Sequence, residues 1–169
     1  MSWPVGRQRD GGLDEIDLPE HVPGRLLLCG KHLVGPDPDG LRARLGDGSV
    51  IVSFNEAGDL DRYPGYAEWL ATSPDARWWA VPDLHAPPID DAIGILDELV
   101  GLLRDGRTLV LHCSAGIGRA GTMAVAVLMA LGVATDEALE RVARQRPGAG
   151  PEAGAQRDLV RALDEHLAR

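Results

Sequence analysis

The chain has 169 residues, a length that suits one domain with its own hydrophobic core. Its formal net charge of −9 argues against nucleic acid or an anionic membrane surface as a partner. A transmembrane helix needs about 18 or more consecutive apolar residues, which the sequence lacks, and residues 1–15 lack the apolar core of a signal peptide. A cytoplasmic location is therefore the default expectation.

The predicted elements alternate between strand and helix early in the chain and become helical later. Residues 1–20 carry glycine, proline and charge without periodicity, which predicts a flexible lead-in to a single domain over residues 21–169. The predicted strands are 25–29, 50–54, 77–81 and 108–111, and the predicted helices are 63–71, 89–103, 119–131, 135–146 and 152–167. This order predicts an α/β fold with a central, mostly parallel sheet flanked by helices.

The strongest chemical signal is the segment HCSAGIGR, residues 112–119. The fourth predicted strand brings Cys113 to the carboxyl edge of the sheet, where open α/β sheets bind ligands. Gly116 and Gly118 allow a tight turn whose backbone N–H groups, with the next helix N-terminus, can bind an anion. Arg119 can then bind two phosphate oxygens with its planar guanidinium group. A thiolate attacking phosphorus would form a phosphocysteine intermediate.

This segment resembles the signature of protein-tyrosine and dual-specificity phosphatases, in which His-Cys is followed by five residues and an arginine. The resemblance extends over residues 23–166, and the short chain is similar to the compact dual-specificity members. It implies a cysteine-phosphatase fold, with Cys113 as the nucleophile and no metal or other cofactor. The implied substrate-binding residues are Ser114, Ala115, Gly116, Ile117, Gly118 and Arg119.

The family pattern also requires an aspartate on a loop upstream of the cysteine. Asp83 lies 30 positions before Cys113, in a proline-rich stretch after the third predicted strand. The resemblance implies that Asp83 donates a proton to the leaving oxygen and later accepts one from water. Asp90 and Asp91 are rivals, but their place at a helix start explains them more simply. His85 stays open as a second acid.

Several further positions are assigned through the resemblance. His112 is expected to orient the loop through hydrogen bonds, and Gln156 is expected to position water. Glu56 could pair with Arg119 or be a solvated loop carboxylate. Ala120 departs from the family pattern, which commonly has a serine or threonine there, whose hydroxyl group hydrogen-bonds the cysteine sulfur. The lack of this hydroxyl predicts slow hydrolysis of the phosphocysteine.

The substrate is left open by the residues. The first hypothesis is a phosphoprotein phosphatase that prefers phosphotyrosine and also accepts phosphoserine or phosphothreonine. The second is a phosphatase of a small phosphorylated metabolite or an inositol phosphate, although the loop lacks the lysine typical of inositol-lipid phosphatases. A phosphate-binding pseudo-phosphatase and a rhodanese-like sulfur transferase are disfavoured by the intact Cys113, Arg119 and Asp83. Cys29 is either a core residue or a disulfide partner of Cys113.

Overall fold

The computed structural model describes residues 12–169. In this part of the chain, five strands form one sheet in the order β1-β2-β5-β3-β4, and every neighbouring pair is parallel except β1 with β2. The strands are β1 (Leu13–Ile16), β2 (Arg25–Gly30), β3 (Ser49–Ser53), β4 (Ala76–Trp78) and β5 (Thr108–Cys113). The predicted α/β fold with a mostly parallel sheet is confirmed.

Helices cover both faces of this sheet. They are α1 (Lys31–Val34), α2 (Pro38–Leu45), α3 (Pro64–Thr72), α4 (Ile89–Arg104), α5 (Arg119–Ala130), α6 (Thr135–Gln145) and α7 (Gly154–Leu167), with a 3₁₀ turn over Ala57–Leu60. Among the described residues, no helix has the length and apolar character needed to cross a membrane.

Strand β5 occupies the middle of the sheet, between β2 and β3. Leu109 and Leu111 pack into the core formed with α4, α5 and α7, whereas Val110 packs into a second core on the other face. A parallel strand buried on both faces requires a continuous apolar run, which the sequence of β5 provides. Cys113 is the last residue of this strand, so the most buried part of the sheet holds it at the carboxyl edge.

The two cysteines lie on opposite faces of the sheet. Cys29 pairs in register with His112, one residue before Cys113, and side chains alternate between faces along a strand. Cys29 accordingly packs in the second core and Cys113 in the first. The hypothesis of a disulfide between Cys29 and Cys113 is therefore wrong. Cys29 is a core residue, as the alternative hypothesis stated.

The prediction of a flexible lead-in over residues 1–20 does not hold for its described part. Residues 1–11 of the predicted lead-in lie outside the described residues, but Leu13–Ile16 forms β1, and the side chains of Leu13, Asp14 and Ile16 are buried. The strand is only four residues long and contains two acidic side chains, so it shows no apolar pattern. Its pairing with β2 holds it in place, and that pairing is invisible in the local sequence.

Two further differences concern the neighbours of β3. The strand predicted over residues 77–81 covers only Ala76–Trp78. The N–H groups of Trp79 and Val81 still donate to the carbonyl oxygens of Ser53 and Phe54, at 3.0 and 3.1 Å. Helices α1 and α2 were not predicted, although α2 carries a proline in its first turn and its N-cap Asp37 accepts a hydrogen bond from the N–H of Gly40 at 2.9 Å.

Candidate active site

Residues 113–119, here called the signature loop, connect β5 to α5 at the carboxyl edge of the sheet. The Cys113 side chain lies at the base of the loop and is almost fully buried. Its Sγ accepts a hydrogen bond from the Ala120 N–H at 3.5 Å. Among the described residues, no group accepts a hydrogen bond from the N–H groups of residues 114–118. These N–H groups are therefore available to an anion.

Gly116 lets the signature loop pass close to β2. Its φ of +71° lies in the left-handed region, and a Cβ atom there would come within 2.3 Å of the carbonyl oxygen of Cys29. Only glycine satisfies both conditions. The sequence predicted a glycine-dependent turn here. The physical reason is that residue 116 combines a left-handed backbone conformation with a close approach to the backbone of β2.

The Arg119 guanidinium group is buried and held on one side. Its Nη1 donates to the Asp59 carboxylate and to the Val81 carbonyl oxygen, both at 2.8 Å, and its Nη2 donates to the Ser114 hydroxyl at 3.2 Å. The remaining nitrogen, Nε, is buried without a hydrogen-bond partner in the described structure. The guanidinium group is therefore fixed in orientation while Nε and one Nη2 hydrogen remain for a ligand.

Asp59 is the carboxylate that holds Arg119, a role that the sequence offered to Glu56. It lies in the 3₁₀ turn after β3, and Asn55 Nδ2 donates both to the Asp59 carboxylate at 3.1 Å and to the Ser114 hydroxyl at 3.0 Å. Burial raises the pKa of Asp59, but the hydrogen bonds from Arg119 and Asn55 outweigh it and leave this pKa below its usual value. Asp59 is therefore ionised at neutral pH. Within residues 12–169 no cluster of three or more His, Cys, Asp or Glu side chains could hold a metal ion.

Asp83 lies on residues 81–88, the part of the β4–α4 connection that leads into α4, here called the acid loop. Its side chain is 75% exposed, and its Oδ1 lies 3.8 Å from Arg119 Nε. The following residue, Leu84, has a φ of +65°, a backbone conformation that is uncommon for a residue with a branched side chain. Its side chain is half exposed. The structure thus places the exposed Asp83 carboxylate next to Arg119, while its role as a general acid stays a prediction.

The other candidate acids are two residues at the start of α4 and one residue of the acid loop itself. Asp90 and Asp91 occupy the first turn of α4, as expected from their sequence position. The His85 ring nitrogen Nδ1 lies 2.8 Å from the Asp83 carbonyl oxygen. His85 therefore helps to shape the acid loop through its backbone.

Gln156 joins the acid loop to the N-terminus of α7. It is fully buried, its Oε1 accepts from the Glu152 N–H at 2.7 Å, and its Nε2 donates to the His85 carbonyl oxygen at 3.2 Å. A Cβ atom at Gly118 would lie 3.3 Å from the same Nε2. Gln156 therefore lies between the signature loop and the acid loop, while its role in positioning water stays a prediction.

His112 is buried directly behind the nucleophile. Its Nε2 lies 2.6 Å from the Tyr66 hydroxyl oxygen and its Nδ1 lies 3.4 Å from the Cys113 carbonyl oxygen. Burial lowers the pKa of His112 to about 4, so the ring is neutral at pH 7. Both contacts are satisfied if the tyrosine hydroxyl donates to Nε2 and Nδ1–H donates to the carbonyl group. This arrangement fixes the backbone at Cys113, as expected from the sequence.

Arg146 holds the signature loop through two of its carbonyl groups. It is fully buried at the end of α6, where Nη2 donates to the Ala115 carbonyl oxygen at 2.8 Å and Nε to the Gly116 carbonyl oxygen at 2.9 Å. Its Nη1 pairs with the equally buried carboxylate of Asp14 on β1 at 2.9 Å. Because Arg146 draws these two carbonyl groups backward, the N–H groups of the loop face the site.

Comparison with known proteins agrees with this geometry. The family model described as "Polymorphic toxin system, DSP-PTPase phosphatase" matches residues 68–133, a span that contains Asp83 and the signature loop. The crystal structure of Tk-PTP in its active form is 30% identical, with 84% of this chain and 92% of that chain covered and a TM-score of 0.68. The chain belongs to the family of dual-specificity and tyrosine phosphatases. No curated protein sequence matches it significantly.

Two other phosphatases share the fold at lower identity. Kinase associated phosphatase, in a form whose catalytic-site cysteine is replaced by serine, is 20% identical with a TM-score of 0.77 and coverage of 98% of this chain and 97% of that one. Human DUSP28 is 17% identical with a TM-score of 0.65 and coverage of 99% and 100%. These likenesses show that the phosphatase has the compact fold of such enzymes.

Sequence reasoning missed the contacts that Asp59 and Tyr66 make with Arg119 and His112. For Arg146, which contacts the signature loop, there was a signal, since residues 144–147 resemble the Arg-Pro turn of the family. Asp59 and Tyr66 lie in a turn and a helix whose local sequence does not reveal what they contact.

Proposed function

We propose that this phosphatase hydrolyses phosphomonoesters through a phosphocysteine intermediate on Cys113, with phosphotyrosine in proteins as the preferred substrate and phosphoserine or phosphothreonine as further ones. The observation that carries the proposal is Arg119 Nε, which is buried without a hydrogen-bond partner beside the cysteine. A buried unpaired donor costs free energy, and a phosphate oxygen at this position would remove that cost.

In the first step, the Cys113 thiolate attacks phosphorus on the face opposite to the leaving oxygen. The sulfur–phosphorus bond forms as the phosphorus–oxygen bond breaks, and Asp83 gives its proton to the leaving oxygen. The loop N–H groups and Arg119 bind the three equatorial oxygens of the phosphoryl group, which carry its negative charge in the transition state. The position of Asp83, exposed and 3.8 Å from Arg119 Nε, supports this role because a leaving group at the open face would lie next to it.

In the second step, water attacks the phosphocysteine and the sulfur leaves as a thiolate. Asp83, now ionised, accepts the proton that the water loses. Gln156, between the acid loop and the signature loop, is placed to orient this water through its amide group. The Ala120 N–H is the hydrogen-bond donor at the departing sulfur.

Two features support an aryl phosphate over a polyol phosphate as substrate. Leu84 presents an exposed apolar side chain next to Asp83, a surface suited to an aromatic ring rather than to hydroxyl groups. The loop interior, residues 114–118, contains no lysine to bind the additional phosphates of an inositol phosphate.

The proposal is tested by the Cys113→Ser variant assayed with para-nitrophenyl phosphate, phosphopeptides and inositol phosphates. We expect turnover to fall by several orders of magnitude, because loss of a nucleophile removes the covalent path, while tungstate binding stays detectable. The matched control is Cys29→Ala, which removes the other thiol from the opposite face of the sheet and should retain turnover. Residual activity above about 1% in Cys113→Ser would contradict the nucleophile assignment.

The substrate part of the proposal has its own readout. A phosphotyrosine peptide should have a higher kcat/KM than matched phosphoserine and phosphothreonine peptides and inositol phosphates. A higher kcat/KM for an inositol phosphate would move the assignment to the small-molecule alternative while leaving the mechanism intact.

A further inference from the structure

Lys31, the only lysine of the chain, lies beside the signature loop. It follows β2 directly, its backbone N–H donates to the Ser114 carbonyl oxygen at 3.2 Å, and its Nζ donates to the Asp59 carbonyl oxygen at 2.7 Å. Ser114 follows the nucleophile, and the Asp59 carboxylate holds Arg119. The Lys31 ammonium group is therefore attached to the same framework that shapes the phosphate site.

Arg62 is a second cation on this side of the molecule. It lies between the 3₁₀ turn that carries Asp59 and helix α3, and its side chain is exposed. In residues 12–169, neither Lys31 nor Arg62 has a carboxylate within ion-pair distance. Several other cations of this acidic chain are paired, such as Arg25 with Glu15 and Arg42 with Asp75.

His32 lies within reach of both charges. The His32 Nδ1 atom lies 2.6 Å from the Tyr63 hydroxyl oxygen, and burial, followed by the charges of Lys31 and Arg62, lowers the pKa of this imidazole. The local field is thus positive, although the net charge of the chain is −9.

The carboxylates nearest in sequence to these cations form no ion pair with them within the described residues. Asp37 caps α2, Asp39 accepts a hydrogen bond from an indole N–H, and Asp59 accepts from Arg119. Asp61 is exposed and forms no ion pair within the described residues. Within residues 12–169, neither cation is therefore neutralised by an ion pair.

We propose that Lys31 and Arg62 form an anion subsite, which binds a second negatively charged group of the substrate while the scissile phosphate occupies the signature loop. This inference rests on the proposed function. In a phosphoprotein, the second group is a phosphate or a carboxylate on a residue near the phosphotyrosine, and in a small molecule it is a further phosphate. The subsite sets the direction of binding, because Glu152 lies against Gly118 on another side of the loop and would repel such a group.

The experiment compares two phosphotyrosine peptides that differ only in flanking charge. One has neutral neighbours, and the other has a second phosphate or acidic residues beside the phosphotyrosine. The wild type should prefer the charged peptide in kcat/KM by about 3- to 10-fold, the size expected of one or two partly exposed charge interactions. This ratio should fall with added salt and should approach one in the Lys31→Gln, Arg62→Ala double variant.

Arg104→Ala is the matched control, because it removes one exposed arginine from the C-terminal end of α4, at the opposite edge of the sheet. It should keep the wild-type ratio. An equal preference for both peptides in the wild type, or an unchanged ratio in the double variant, would overturn the subsite. A loss of kcat/KM for both peptides to the same extent would assign a purely structural role to the two cations.

These outcomes are separable from failure of the proposed function. Hydrolysis of para-nitrophenyl phosphate, which has no second anion, tests the chemistry alone. If no peptide is hydrolysed, the dissociation constants of the two peptides from Cys113→Ser give the same ratio without turnover. An inositol bisphosphate assayed against an inositol monophosphate shows whether a small molecule or a peptide supplies the second group.

Discussion

The signature loop and the acid loop meet at one site but are built in opposite ways. The signature loop is largely buried, and its carbonyl groups are held by Arg146, by the N–H of Lys31 and by the N–H of Gly150. The acid loop is mostly exposed, and its hydrogen bonds to the rest of the chain include those from Gln156 to His85 and from Arg119 to Val81. The anion site is thus preorganised by hydrogen bonds to the carbonyl groups of its loop, whereas the acid lies on an exposed segment.

The largest effect expected on the acid-loop side is that of Asp83→Asn. We expect kcat to fall by about 10²–10⁴-fold, the usual contribution of general acid catalysis. The loss should shrink for aryl phosphates with good leaving groups, because these leave without a proton. Steady-state kinetics over a series of substituted aryl phosphates measure this dependence.

His85→Asn is the matched control, because His85 lies on the same loop and contacts only the backbone of Asp83 through its ring. An equal loss for good and poor leaving groups in Asp83→Asn would assign the proton transfer to another residue.

For the signature loop, Arg146→Met tests whether the loop depends on the hydrogen bonds that this buried arginine donates to it. Removing one partner of a buried ion pair costs about 3–5 kcal/mol, since it leaves Asp14 buried without its counter-ion. We expect this loss in the free energy of unfolding, measured by urea denaturation, together with weaker tungstate binding. Asp14→Asn keeps the shape of the side chain and should give a smaller loss in the same direction.

The control for this prediction is Arg144→Met on the same helix. Arg144 is exposed and faces Glu140 at 3.7 Å, and such surface pairs contribute only about 0.3–0.5 kcal/mol. If Arg146→Met were no less stable than Arg144→Met, the signature loop would not depend on the hydrogen bonds that Arg146 donates to its carbonyl groups.

The smallest effect concerns Ala120, at the start of α5. Its N–H is the donor to Cys113 Sγ, and the buried hydroxyl of Thr122 has no partner among the described residues, so it does not reach the sulfur. A charge-assisted hydrogen bond contributes about 1.5–3 kcal/mol, so its absence should slow phosphocysteine hydrolysis by about 10- to 100-fold. Stopped-flow assays with a chromogenic aryl phosphate should therefore show a burst of product.

Ala120→Ser should shrink this burst and raise kcat, whereas Thr122→Val, which removes a hydroxyl that bonds nothing, should leave both unchanged. If the wild type shows no burst and Ala120→Ser has the kcat of the wild type, position 120 does not limit turnover.

The sequence predicted what depends on local pattern. The apolar run of β5, the glycines of the signature loop and the position of Asp83 lie in short continuous segments, and the structure places them as expected. It could not predict contacts between distant segments: Asp59 is 60 residues from Arg119, and Asp14 is 132 residues from Arg146. Strand β1 was missed for the same reason, because its existence depends on pairing rather than on its own four residues.

The link from Arg146 to Asp14 also bears on how the protein folds. It ties β1 to the end of α6 across 132 residues, so it can form only after the chain has been synthesised through residue 146. Contacts of such large sequence separation close long loops of chain and tend to form late. We therefore expect Cys113 to acquire its anion-binding surroundings in one of the final steps of folding, so that recovery of enzymatic activity after dilution from denaturant lags behind the recovery of helical structure.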